Sequence, residues 1–192
     1  MKAMIETPVF LQDAQDILTE QGFTTSQIWY HGTSSALVPA ILEQGLKRSG
    51  DQALAALEQK TLATIGDQYQ PAVEPVFLTP SQELAYYWAC QTVRRRGVRF
   101  AGEETPVVLA LTLPADVAQQ VRPDVGAASL LLLDEGEAYL AYLASIYQRL
   151  GLNPPEIDLA KAAREDYLQQ LGMAYLDADL PASCVSLCQP SI

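Results

Sequence analysis

Ile28-Trp29-Tyr30-His31-Gly32-Thr33-Ser34-Ser35 is the stretch that decides how the chain is read. Its first four residues are mostly β-branched or aromatic, types that suit a pleated, half-buried strand. The glycine and the hydroxyl residues after it favour a turn and then a helix cap. The expectation is strand, turn, helix, with His31 at the end of the strand. Leu37, Ile41 and Leu42 continue at helical spacing, and Gly45 stands where a left-handed cap would stop that helix. Pro39 is tolerated because it falls near the first turn.

Upstream, Thr7-Pro8 reads as a cap followed by proline at the first helical position. Phe10, Ala14, Ile17 and Leu18 then predict one amphipathic helix as far as Gly22. Residues 51–64 are good helix formers, but Leu54, Leu57 and Leu62 are too sparse for a wide apolar face, so a peripheral helix or a mobile insertion is expected. Pro75-Val76-Phe77-Leu78 reads as a brief strand. Thr79-Pro80-Ser81-Gln82 follows it as a capping box, predicting a helix that carries Leu84, Tyr87, Trp88 and Gln91 on one side. Arg94, Arg95 and Arg96 suit the negative end of that helix as a solvated terminus.

Pro106 to Leu113 is apolar, valine- and leucine-rich and too short for a helix, which fits a central strand buried on both faces. Residues 134–150 and 156–171 are helix-like and are separated by Gly151-Leu152-Asn153-Pro154-Pro155. Ala174-Tyr175-Leu176 and Cys184 to Leu187 read as short final strands flanking Leu180-Pro181. No internal repeat or linker interrupts the pattern, so one α+β domain over 1–192 is the simplest account.

Composition narrows the function. The 192 residues suit one domain, and 49% hydrophobic with 18% charged residues is ordinary globular usage. A formal charge of -11 would repel a phosphate backbone and disfavours nucleic acid as a partner. Cys90, Cys184 and Cys188 form no Cys-x-x-Cys couple beside a histidine, so no metal site is expected and core or free thiols are. Glu6, Asp13 and Asp16 near the start do not read as a secretory signal. The most apolar stretch, 127–147, is interrupted by Asp134, Glu135 and Glu137, which argues against a membrane span; a cytoplasmic location is the expectation.

His31 is the sole histidine, so any imidazole chemistry must come from it. Trp29-Tyr30-His31-Gly32-Thr33-Ser34, with Ile41-Leu42 and Gly45-Leu46, resembles the first motif of ADP-ribosyltransferase-fold proteins, among them poly-ADP-ribose polymerase and RNA 2-phosphotransferase catalytic domains. Val76-Phe77-Leu78-Thr79 followed by Ala85-Tyr86-Tyr87 is similar to that family's second motif; together the two cover about residues 28–92. The resemblance implies a split central sheet with flanking helices, and NAD as substrate. His31 would hydrogen-bond a ribose hydroxyl, the Gly32 backbone would pair with the nicotinamide amide, and Thr33 would shape the turn. Tyr87, or its neighbour Tyr86, would stack on the pyridinium ring, an attraction between a cation and an aromatic face. Phe77 stands where many relatives carry tyrosine, which keeps stacking but loses a hydroxyl contact.

Cleaving the nicotinamide bond builds oxocarbenium-like charge, which a carboxylate holding the ribose hydroxyl stabilises. Relatives generally use a glutamate. Here the last-strand region, 173–181, offers Asp177 and no glutamate, while Glu137 in Asp134-Glu135-Gly136-Glu137 resembles the Glu-x-Glu of another branch. The resemblance therefore implies NAD-dependent ADP-ribosyl transfer, to an acceptor such as a protein, or to water. A degenerate NAD- or ADP-ribose-binding module and an RNA 2-phosphotransferase are the alternatives, the last opposed by the acidic charge and the lack of a second histidine.

Overall fold

The computed structural model describes residues 5–64, 73–159 and 161–190. In chain order the helices are α1 (Ala14–Ile17), α2 (Val38–Gln44), α3 (Gln52–Thr64), α4 (Gln82–Gly97), α5 (Ala115–Ala118), α6 (Ala127–Leu131), α7 (Asp134–Arg149) and α8 (Asp166–Gln169). The strands are β1 (Leu18–Thr19), β2 (Gly22–Phe23), β3 (Ile28–Ser34), β4 (Val76–Leu78), β5 (Pro106–Thr112), β6 (Arg122–Pro123), β7 (Ala174–Leu176) and β8 (Val185–Leu187). The architecture is mixed α and β, built on small antiparallel sheets.

Two of those sheets have three strands, in the orders β3-β5-β8 and β4-β7-β6. β5, the apolar run expected to be central, is indeed the middle strand of the first. The sheets are joined by a backbone bridge, where Tyr30 and Thr79 exchange hydrogen bonds of 2.9 and 3.0 Å. One core closes over both: Trp29, Leu109 and Leu111 from the first pack with Val76, Leu78, Ala174 and Leu176 from the second, sealed by Leu46 and Leu180. β5 buries both of its faces, as expected: Leu109 and Leu111 lie in this core, and Val108 packs against Ala85 and Leu11 on the other side.

On the other face of β3 lies α4. A Cβ built on Gly32 would come within 2.0 Å of the Ala85 carbonyl oxygen and 2.5 Å of the Ala89 nitrogen, so only a residue without a side chain lets helix and strand approach this closely. The outer flank of α4 is aromatic and meets α7, with Tyr87, Tyr139, Leu143, Ile146 and Tyr147 in a second core.

Several elements depart from expectation. The long N-terminal helix is broken into a 3-10 turn at Val9–Leu11, the single turn of α1 and a β1–β2 hairpin. Gly22 turns the chain there with φ +111, and its backbone rests against that of Gln169. Asp13 is drawn away from local helix into capping α4: its carboxylate accepts from Ser81 Oγ and Gln82 N, both at 2.7 Å. The cap of α4 is Ser81 rather than Thr79, accepting from Leu84 N at 3.3 Å. Of the helix expected over 156–171, only α8 forms. Among the described residues before it, Ile157, Leu159 and Ala162 pack on the α7 core. Arg96 is buried rather than solvated, its guanidinium 2.7 Å from Glu104 and stacked 4.5 Å above the ring of Phe100.

Candidate functional site

His31-Gly32-Thr33 lies inside β3, not in a turn after it; the turn begins at Ser35. The strand persists because β5 pairs with it along its full length, Ile28 opposite Thr112 through Ser34 opposite Pro106. Antiparallel ladders bond alternate residues. Gln27 O accepts from Leu113 N and Ser35 N donates to Thr105 O, which fixes the odd-numbered residues as those bonded towards β5. The N–H and C=O of Tyr30 and Gly32 therefore point the other way, towards β4.

Tyr30 finds Thr79 there. Continuing that register by two residues sets Gly32 opposite Phe77, where an unbroken ladder would pair them. The strands part instead, and His31 Nδ1 takes the Phe77 carbonyl at 2.9 Å. The Gly32 backbone is left facing a split between the sheets, with an imidazole spanning one side. Phe77 carries its ring on the outer face and is 45% exposed. The imidazole is half-buried, and desolvation holds its proton affinity below the usual 6.5, opposed by the bond to Phe77.

The other expected residues fall in three places. Thr33 is fully buried within the strand and shapes no turn. Tyr86 is half-buried beside Tyr30 and Cys188 on the α4 side of the first sheet. Tyr87 is 3% exposed, its ring packed against Trp88, Tyr139 and Tyr142 at centroid distances of 5.1, 5.2 and 4.9 Å. Helical geometry explains this: Tyr87 lies two residues from both Ala85 and Ala89, about 200° round the helix from the face that meets Gly32. Its ring has no surface free to stack on a ligand, whereas the ring of Phe77 is exposed. Glu137 is exposed on the first turn of α7, across α4 from Gly32.

Asp177 follows directly after β7, whose Tyr175 pairs with Phe77. It adjoins the sheet of Phe77, but its carboxylate is 3.0 Å from Arg48 Nη1, and Asp179 joins the same cation. Arg48 is held more firmly protonated by Asp177 first and Asp179 second. Elsewhere along β3, a polar cleft of about 250 Å³ opens among Asp13, Thr25, Ser26, Ile28, Tyr30 and Gln82; it does not include His31.

Comparison with protein-family models, with curated proteins and with solved structures gives no match. Among the described residues no helix is long and apolar enough to cross a membrane, and no three His, Cys, Asp or Glu side chains converge as a metal site. The three cysteines are free thiols.

What sequence reasoning missed is backbone. The Phe77 carbonyl as partner of His31 carries no side-chain signature. Arg96 could have been singled out only by knowing that Glu104 and Asp51 return to it.

Proposed function

We propose that the split between β3 and β4 binds a nicotinamide dinucleotide, and that the chain uses it for ADP-ribosyl transfer or NAD hydrolysis. The observation that carries this reading is the parting of the strands at Gly32 and Phe77 with His31 spanning the gap. A primary amide needs one donor and one acceptor on the same edge, and Gly32 supplies both from its backbone. The exposed ring of Phe77 offers a face to a cationic pyridinium. The motif likeness to ADP-ribosyltransferases points to the same groups, with the stacking role moved from Tyr87 to Phe77. The split arrangement of two three-stranded sheets is consistent with that fold.

Loss of nicotinamide leaves positive charge on the ribose, which a carboxylate bonded to a ribose hydroxyl stabilises. Of the two candidate acids, Asp177 is favoured because it directly follows the strand paired with Phe77, whereas Glu137 lies beyond α4. The acceptor is unassigned; a protein side chain or water would serve.

A second reading has its own support. Asp177 is already neutralised by Arg48, which suits a module that binds NAD or ADP-ribose without turnover. Calorimetry and nicotinamide release separate the two. Transfer predicts NAD binding with release that falls at least tenfold in Asp177→Asn; tight binding with no release selects the module. Equal heats for wild type and His31→Ala would remove both.

A further inference from the structure

We propose that His31 offers its ligand a hydrogen-bond acceptor and no donor, so that the site takes a neutral O–H or N–H group at this point and rejects a phosphate or carboxylate oxygen. The inference rests on the split being the binding site and adds the polarity of the group recognised there.

The argument starts from Phe77, whose backbone oxygen can only accept a hydrogen bond. His31 Nδ1, 2.9 Å away, must therefore carry the hydrogen. A neutral imidazole has one N–H, so Nε2 is left with a bare lone pair. That nitrogen bonds to no protein group and reaches solvent: among the described residues, the buried side-chain nitrogen or oxygen atom without a partner is the Trp29 indole nitrogen alone. An anionic oxygen brought to Nε2 would face lone pair against lone pair, whereas a hydroxyl would donate to it. The half-buried setting favours the neutral ring, since charging it loses solvation. The tautomer is imposed by the backbone of another strand, so the polarity of recognition is fixed by the fold.

The chain contains one histidine, so imidazole nitrogen signals belong to His31 without assignment. In protein labelled with 15N-histidine, long-range proton–nitrogen spectra at neutral pH are expected to show a protonated Nδ1 and a bare Nε2. NAD should then move the Nε2 resonance with Nδ1 still protonated, and sulfate, an anion with no O–H to donate, should leave both in place. A protonated Nε2 in the free protein, or an Nε2 shift on adding sulfate, would overturn the proposal. The predicted tautomer with indifference to both NAD and sulfate would support the acceptor assignment and remove the dinucleotide reading instead.

Discussion

The two flanks of α4 make opposite use of one helix. Towards β3 it presents Ala85 and Ala89, so small that strand and helix backbones nearly touch at Gly32. Towards α7 it presents Tyr87 and Trp88, which interlock with Tyr139 and Tyr142. The first flank fixes the position of a strand whose far edge is left open; the second fills space and leaves nothing open. Tyr87 is thus core, and the exposed aromatic next to the split, Phe77, sits on another strand.

Substitutions that invert these roles test the contrast. Gly32→Val should be the most damaging, because its side chain meets backbone that cannot move aside; a loss of about 3 kcal/mol or more is expected from urea unfolding followed by circular dichroism. Stability close to wild type would mean that the approach is looser than described. Tyr87→Ala should cost about 3 kcal/mol by the same measurement. In the fraction that stays folded it should leave NAD affinity unchanged; a selective loss of binding would put Tyr87 back in the site.

Phe77→Ala reverses the pattern. The side chain is half-exposed, so stability should change by about 1 kcal/mol or less, while NAD affinity falls about tenfold, near 1.4 kcal/mol. Unaltered calorimetric titrations would remove Phe77 from the site.

The smallest effect is on pH dependence. The folded chain holds a proton on His31 more weakly than the unfolded chain does, since burial lowers its value below 6.5. The unfolded state therefore takes up more protons as pH falls through that value and below, and stability declines in that direction. His31→Gln should flatten this part of the profile; an unchanged slope would assign it to other groups, such as Glu104, whose carboxyl is held low mainly by Arg96.

Short strands and the central apolar run were legible in the sequence because period-two burial and β-branched composition survive without tertiary help. β4, β5 and β7 fall where Pro75–Leu78, Pro106–Leu113 and Ala174–Leu176 were expected. The N-terminal stretch departs from the expected helix where the Asp13 carboxylate caps α4 and not its own turn, a tertiary contact. At the site, sequence singled out His31, Gly32 and Phe77 but ended the first strand at His31 and placed Gly32 in a turn. Continuation of the strand through Gly32 depends on β5, more than seventy residues away, and no local signal reports it. That Tyr87 is core was not legible, because adjacent tyrosines on a helix do not say which neighbour lies beyond them.

The most direct test is to follow backbone amide resonances while NAD is titrated. Shifts centred on Gly32 and Phe77, with Tyr87 and Tyr139 unmoved, are predicted. Shifts confined to the α4–α7 aromatic cluster, or none at saturating NAD, would contradict the account.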